Sequence, residues 1–418
     1  MDRSEQSIQN VITSYWDRRA AAYTAAQHRS EREELDRDLW TAIWRSALPT
    51  PPADVLDLGT GGGHAAILLA EMGYRVTATD LSHGMLDQAR ARAAGMASPP
   101  RFALDDAVRP SQPPRSFHVG ASRYLAWTLR DPEAALRRWH RLLRPGGTLA
   151  LVDAPWFPRG IDGNPTEGFA EHYRAEIRDH LPLAEAKGIE ATAAVLERAG
   201  FADVSLTPLR DLLEADRRWG TVPGHEPRLQ YLLTGRARRY RVRRAEMGDI
   251  EAMRAAERAA GERFRTLGMD DGIADDPPLA PEQLAARIAA GLAWVVEEDA
   301  GTPGAETGAP VGYLIADRLE GSLHIEQVSV DPAHGGLGLG GDLIDRADRE
   351  AAALGRRELT LTTFTEIPWN APYYERLGFE RIDDARAAPE LLRIRHAEAA
   401  HGLDRWPRIC MRRAAHPR

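Results

Sequence analysis

Val55-Leu56-Asp57-Leu58-Gly59-Thr60-Gly61-Gly62-Gly63 is the stretch whose reading decides the fold. Residues 54–58 are apolar enough for a buried strand, and the chain restarts as an apolar helix over 65–72. Glycine at a strand-to-helix turn permits positive φ and removes the Cβ that would hold a ligand off the backbone. A second apolar run, 74–79, ends in Asp80. That acid lies about 20 residues past the first glycines, where a carboxylate can bind ribose hydroxyls.

Asp57, Gly59, Gly61 and Gly63 form an acid followed by Gly-x-Gly-x-Gly, which resembles the first motif of class I S-adenosylmethionine (SAM) methyltransferases. The series that follows strengthens the resemblance. Leu81-Ser82-His83-Gly84-Met85-Leu86 opens the next helix, with Ser82 as its N-cap. Residues 101–104 are a third strand that runs into Asp105-Asp106-Ala107, where the family places an acid on the adenine amine. Asp106 is favoured because Ala107 follows it, and Asp105 is the alternative. Residues 117–122 are the fourth strand. Its His118 stands where the family usually has an acid and is expected to be structural. Asp131-Pro132 starts a helix that ends at Arg144-Pro145-Gly146-Gly147, and 148–152 is the fifth strand. Residues 202–206 and 228–234 close the sheet.

The resemblance implies a Rossmann-like seven-stranded methyltransferase sheet over 1–235. It places SAM against Asp57, Gly59, Gly61, Gly63, Asp80, Leu81, Asp105, Asp106, Ala107 and Ser122. Residues 1–48 resemble a helical lid. There Tyr15 and Tyr23 either approach the methionine part of SAM or pack the helix onto the sheet. Arg123 to Leu129 lies where donor and acceptor should meet, and 157–185 is expected to be a helical insertion that sets acceptor specificity. Asp153-Ala154-Pro155-Trp156 looks like the motif of DNA amino-methyltransferases, but it follows the fifth strand rather than the fourth, so a DNA substrate is not expected.

The arginine-rich junction 236–244 opens a new pattern. Strand-like runs at 240–245, 291–298, 310–317 and 322–330 precede Asp331-Pro332-Ala333-His334-Gly335-Gly336-Leu337-Gly338-Leu339-Gly340. Trp369-Asn370-Ala371-Pro372-Tyr373-Tyr374-Glu375-Arg376-Leu377-Gly378-Phe379 comes later. Residues 240–413 resemble a GNAT acyltransferase domain, an α/β fold with a splayed central sheet. The resemblance implies that loop amides around His334, Gly336, Gly338 and Gly340 grip the pyrophosphate of coenzyme A, as backbone donors at a helix N-terminus suit an anion. It puts the pantetheine arm along Val328 and Val330, with Asn370 near the arm or the loop, and makes Tyr374 the acid that protonates the departing thiolate. Glu326, or His324 two residues earlier, is placed to take the proton of an amine. The family's basic loop residues are missing at Gly335 and Leu337, so the acyl donor is acetyl-CoA, another acyl-CoA, an acyl carrier protein or an aminoacyl-tRNA. The arginine run is either a contact for such a polyanion or a solvated face.

At 418 residues, with 43% hydrophobic and 28% charged, the chain has the size and composition of a soluble two- or three-domain protein. The formal charge of −8 argues against broad nucleic-acid binding. One cysteine, Cys410, excludes an internal disulfide and a cysteine metal cluster, and it fits the cytoplasm. No run suits a signal peptide or a membrane helix. No metal constellation is visible. The sequence is thus expected to encode a bifunctional tailoring enzyme of specialised metabolism that methylates and N-acylates small-molecule amine or hydroxyl acceptors. A second half that only binds a ligand or partner is the remaining alternative.

Overall fold

The structure is a computed structural model that describes residues 3–27, 32–161, 169–221, 226–299 and 308–415. The chain divides into two units, Met1–Arg238 and Arg239–Arg418. Among the described residues no helix is long and apolar enough to cross a membrane.

The first unit opens with helices α1 (Arg3–Gln27) and α2 (Glu33–Ala47). There follow β1 (Asp54–Leu58), α3 (His64–Glu71), β2 (Arg75–Asp80), α4 (His83–Ala93) and β3 (Arg101–Leu104). Next come β4 (Phe117–Arg123), α5 (Pro132–Leu142), β5 (Leu143–Asp153), α6 (Phe169–His172) and α7 (Ala175–Arg178). The unit ends with α8 (Glu190–Arg198), β6 (Phe201–Pro208), α9 (Arg210–Trp219) and β7 (Tyr231–Ala237). The sheet order is β3-β2-β1-β4-β5-β7-β6, with β7 antiparallel to both its neighbours. Strand order reverses between β1 and β4, so a crevice opens there at the carboxyl ends of the strands.

Local chemistry sets the helix starts. Ser82 Oγ accepts from Met85 N at 3.1 Å, and Asp131 accepts from Ala134 N at 2.9 Å with Pro132 behind it. Two apolar clusters sandwich the sheet, one around Trp139 and Phe201 and the other around Trp44 and Leu69. A third joins α1 to residues 169–184 through Tyr15, Phe169 and Tyr173.

Three expectations shift. The break at 144–147 is a ladder irregularity inside β5: Phe117 pairs with Leu143, and pairing resumes at Val119 with Thr148. Strand β7 starts at Tyr231 rather than Arg228, because Arg228 donates to Pro155 O and Gln230 to Asp216. The 157–185 insertion holds only short helices in its described part, and 162–168 lie outside the described residues.

The second unit runs β8 (Tyr240–Arg244), α10 (Ile250–Gly261), α11 (Pro281–Ala289), β9 (Ala293–Glu298), β10 (Pro310–Arg318), β11 (Ser322–Val330) and α12 (Leu339–Ala353). It continues with β12 (Glu358–Phe364), α13 (Ala371–Arg376), β13 (Glu380–Ile382), α14 (Pro389–Ala400) and β14 (Arg408–Ala414). The sheet order is β13-β14-β12-β11-β10-β9-β8. Parallel pairing of β11 with β12 covers only Ser322–His324 against Glu358–Thr360, and then the strands part. The expected splay is this parting. A bulge sits opposite it: Ile315 pairs with Gln327 and Ala316 with Ile325, which leaves Glu326 as the extra residue.

Candidate active sites

In the first unit, the carboxyl ends of β1, β2 and β4 border a cavity lined by Asp57, Gly59, Gly61, Asp80, Leu81, Asp105, Asp106 and Ala107. Gly61 N donates to Asp80 Oδ2 at 2.8 Å, and Ser82 N donates to Oδ1 at 2.9 Å. Asp80 thereby holds the glycine turn against the start of α4. A Cβ on Gly61, at φ +52°, would project into open space, with its nearest neighbour Met85 Sδ 4.0 Å away. Asp57 is 1% exposed, and among the described residues none hydrogen-bonds its carboxylate oxygens in good geometry, with Thr60, Arg123 and the Ala66 amide offsetting its burial only in part. Burial pushes its pKa up to about 7. Asp105 accepts from Ser111 N and Oγ, at 2.9 and 3.0 Å. Asp106 accepts from Val108 N at 2.8 Å and pairs with Arg130 at 3.1 Å. The donor set therefore fits SAM: the incompletely paired buried acid suits a cationic group, Asp80 a ribose, and Asp105 or Asp106 an adenine amine.

Three expected cofactor residues lie outside this wall: Ser122, Gly63 and, in an adjoining outer cavity, Tyr15. Ser122 is 2% exposed and donates to Leu58 O at 2.8 Å, tying β4 to β1. Gly63 caps α3 at φ +80°, where a Cβ would lie 3.0 Å from Ala89 Cβ. Its glycine makes room for α4, not for a ligand. His118 is structural, accepting from Asp54 N at 3.1 Å.

A second cavity adjoins the first and shares Trp16, Tyr23, Gln27, Arg123 and Tyr124 with it. Its remaining aromatic wall is Tyr15, Trp40, Trp127, Trp156, Phe157 and Phe169. Helix α1 is anchored above both: Asp17 accepts from Ser82 Oγ at 2.6 Å and Gly84 N at 3.0 Å. Tyr23 and Trp16 thus face the cofactor cavity. Tyr15 lines only the outer one, edge-on to Phe169 and Tyr173.

The shared wall is built on strain and burial. Tyr124 holds φ +62°, which costs a non-glycine residue on the order of 1–3 kcal/mol. Its hydroxyl bonds Gln230, which donates to Asp216, and Asp216 pairs with Arg32 at 2.8 Å. Arg123 donates to Gln27 Oε1 at 2.7 Å and lies over Trp40 and Tyr124, at 5.0 and 4.4 Å from the ring centroids. It forms no ion pair among the described residues. Asp153, raised to about 6 by burial, accepts from Ala126 N at 2.9 Å and from Trp156 Nε1. It fixes the turn after β4 and the Trp156 wall together. Trp40, Asp216, Arg228 and Gln230 carry no motif in the sequence, and only the sheet order brings them here.

In the second unit, His324 is 1% exposed, and its Nδ1 lies 3.2 Å from Thr360 Oγ1 at the last rung before the strands part. Burial depresses its pKa to about 4, so it is neutral near pH 7. Its Nε2 stands 3.8 Å from Glu326 Oε2. Glu326, about a third exposed (34% of its side chain), is raised by burial first and by Asp317 next. That makes it the stronger base of the pair. Arg287, Glu398 and Arg408 complete its electrostatic surroundings. Glu398 reaches there from α14, where it accepts from Thr362 and pairs with Arg408 at 2.7 Å. The sequence offers no signal for that helix's role.

Val328 and Val330 lie on the stretch of β11 beyond its pairing with β12. Tyr374 is 8% exposed, packs edge-on to Phe379, and has its pKa raised by burial. No described residue hydrogen-bonds its hydroxyl. Asn370 donates to Thr363 Oγ1 at 2.8 Å while its Oδ1 is buried without a partner. Gly336 and Gly338 hold φ +76° and +86°, and Gly338 precedes α12 with no side-chain cap. His334 sits in the short turn before them. Gly340 answers to packing, since a Cβ there would lie 2.8 Å from Tyr373 Oη. Asp342 adds a carboxylate to the first turn of α12.

The arginine run is largely engaged inside the fold. Arg241 and Arg243 pair with the buried Glu297 at 2.6 and 2.8 Å, and Arg243 also pairs with Asp249. Arg244 pairs with Glu350 at 2.9 Å, and Arg236 donates to Thr148 Oγ1 at 2.9 Å.

Comparison with known proteins agrees with this geometry. A methyltransferase domain family matches residues 56–151, and an acetyltransferase (GNAT) domain family matches 289–381. The malonyl-[acyl-carrier protein] O-methyltransferase of Serratia marcescens is 32% identical over 139 residues, 33% of this chain and 51% of that protein. The demethylmenaquinone methyltransferase of Thermus thermophilus is 34% identical over 119 residues, 28% of this chain and 54% of that protein. Phosphoethanolamine N-methyltransferase 1 of Arabidopsis thaliana is 30% identical over 155 residues, 37% of this chain and 30% of that protein. The chain thus spans about half or less of the length of these relatives. A solved SAM-dependent methyltransferase from Mesorhizobium loti aligns with 47% of this chain and 96% of that one, at 24% identity and TM-score 0.35. One chain therefore carries a methyltransferase domain, followed by a GNAT-family domain.

Proposed function

We propose that the chain is a bifunctional tailoring enzyme of specialised metabolism. Its first domain transfers a methyl group from SAM to a small molecule, and its second transfers an acyl group to an amine. The observation that carries the first half is the pair of cavities sharing one wall: the motif residues border one, and an aromatic box borders the other. SAM supplies a methyl group already activated on a sulfonium, so the protein's part is to hold the two reactants in line. The relatives' names range over a carrier-bound malonyl group, demethylmenaquinone and phosphoethanolamine, so the small-molecule reading rests on the cavity and not on them.

In the second domain, Glu326 takes the proton of the attacking amine, and Tyr374 gives one to the departing thiolate. The donor is acetyl-CoA or another acyl-CoA, with its arm along Val328 and Val330, Asn370 beside it, and the loop from His334 to Gly338 at its pyrophosphate. A carrier-bound acyl group or an aminoacyl-tRNA is the second reading. The absent basic residues at Gly335 and Leu337 leave it open, because they remove the charge-assisted bonds that would hold the coenzyme A pyrophosphate at this loop. The engagement of Arg241, Arg243 and Arg244 with acids weakens the case for the arginine run as its landing site.

Thermal shift of the full chain with S-adenosylhomocysteine, coenzyme A and acetyl-CoA tests this. A ligand at 100 times its dissociation constant stabilises its domain by about 2.7 kcal/mol. Shifts from both cofactor classes are expected. A shift from S-adenosylhomocysteine alone overturns the acyl-CoA donor and turns the search to carriers and charged tRNA. No shift from S-adenosylhomocysteine overturns the methyltransferase half.

Asp57 gives a pH signature. With a pKa near 7 it holds a proton in the folded chain that the unfolded chain, titrating near 3.8, has lost. Its contribution therefore favours folding at low pH and fades as pH rises through 7. A bound cation lowers that pKa, so SAM binding releases a proton near pH 6 and tightens between about pH 6 and 8. Calorimetry at pH 6 in buffers of different ionisation enthalpy should show release of most of one proton, with none at pH 8.5. Asp57→Asn should abolish the release. A proton count independent of pH would remove Asp57 from this role.

A further inference from the structure

Among the described residues, the wall shared by the two cavities of the first domain lacks a base. Of the five residues common to both, Trp16, Gln27 and Arg123 cannot accept a proton at neutral pH, and Tyr23 and Tyr124 are held neutral by burial. No carboxylate or imidazole is among them. An alcohol that must be deprotonated on attack finds no acceptor in that shared wall; the outer cavity's imidazole, His64, lies off it, edge-on to Trp40. An alkyl amine arrives as a cation and meets the Arg123 guanidinium.

Arg123 is the other half of the observation. It faces both cavities, lies against the rings of Trp40 and Tyr124, donates to Gln27 Oε1, and forms no ion pair among the described residues. The outer cavity's acids do not serve it. Asp36 and Asp216 are both paired with Arg32, at 2.7 and 2.8 Å. Glu226 is exposed at the outer edge, 4.0 Å from Arg159. Asp57, an acid of the cofactor cavity, interacts with Arg123 through space without an ion pair, so the remaining donors of Arg123 are open to a ligand, and a planar guanidinium matches a carboxylate with two parallel bonds. Aromatic surfaces fill most of the remaining wall, so they suit a flat apolar body.

Building on the methyltransferase reading above, we propose that the acceptor is an aromatic carboxylic acid and that its carboxylate oxygen, held by Arg123, is the atom methylated. The acid binds already ionised, so no base is needed. A carboxylate lone pair forms the O–CH₃ bond, the C–S bond breaks, and its electron pair stays on sulfur. An anion and a sulfonium become a neutral ester and a neutral thioether, with no proton transferred. Arg123 keeps the acid ionised and aims one oxygen at the shared wall.

The test is calorimetric binding of 2-naphthylacetate, 2-naphthylacetamide and 2-(2-naphthyl)ethylamine to the full chain saturated with S-adenosylhomocysteine. The carboxylate should bind about 10-fold or more tighter than the amide or the amine. Arg123→Gln should bring the carboxylate and the amide to within about 2-fold of each other, and Arg123→Lys should restore part of the preference, since it keeps the charge and loses the fork. The thermal transition of each variant reports that it is folded. Equal binding of acid and amide, preference for the amine, no binding of any probe, or an undiminished preference in Arg123→Gln each overturns the inference while the methyltransferase reading stands. Failure of the wild-type chain to hold S-adenosylhomocysteine overturns both.

Discussion

Asp80→Ala is expected to weaken S-adenosylhomocysteine binding about 100-fold or more, from two charge-assisted hydrogen bonds at roughly 1.5 kcal/mol each. The acid has two duties. In the structure its oxygens accept from Gly61 N and Ser82 N, so it holds the glycine turn in shape. It also borders the cavity, where the proposed ribose would share the same oxygens. Carboxylate oxygens carry about four lone-pair sites, so both duties are compatible. Asp80→Asn keeps one acceptor oxygen and should lose less. Calorimetry on both variants checks the order. The thermal transition of the second unit should not move in either. Wild-type affinity in Asp80→Ala would sink the assignment of this cavity to SAM.

Tyr374→Phe is the second large effect, a fall in acyl-transfer rate of about 100-fold or more, the usual scale for a lost general acid. Donor affinity should hold within about 2-fold. The ring packs against Phe379 in the core, and phenylalanine preserves that contact. Among the described residues none hydrogen-bonds the hydroxyl, so folding should be nearly untouched. The measurement is thiol release from acetyl-CoA under single-turnover conditions with an amine acceptor, alongside donor binding. A rate unchanged when chemistry is limiting removes Tyr374 from the role. A parallel loss of donor affinity would mark it as part of the binding wall instead.

Several positions that the sequence offers as ligand contacts have a packing role in the structure, for a shared reason. Gly63, Gly340 and Ser122 stand inside glycine motifs or at strand ends, where a ligand contact and a packing contact look alike in one dimension. The structure separates them: Ala89 occupies the space beside Gly63, Tyr373 that beside Gly340, and Leu58 takes the Ser122 hydroxyl. The run from Arg236 to Arg244 reads as an exposed cationic strip. Glu297 and Glu350, from distant segments, and the nearby Asp249 pair with Arg241, Arg243 and Arg244.

What the sequence determined alone is the pair of cofactor loops. Asp57, Gly59, Gly61 and Asp80 lie on one strand–turn–helix–strand unit, and so do Gly336, Gly338 and the start of α12. Backbone dihedrals and short-range hydrogen bonds set the shape of such a unit, and residue type at fixed spacing encodes both. The acceptor cavity was decided only by tertiary structure. Trp40, Arg123, Trp156, Asp216 and Gln230 come from five separate segments. Their meeting depends on strand order and on helices α1, α2 and α9 closing over the sheet. The same holds for Glu398 beside Glu326. A cavity wall is a set of long-range contacts, and no local periodicity records which distant side chains will share it.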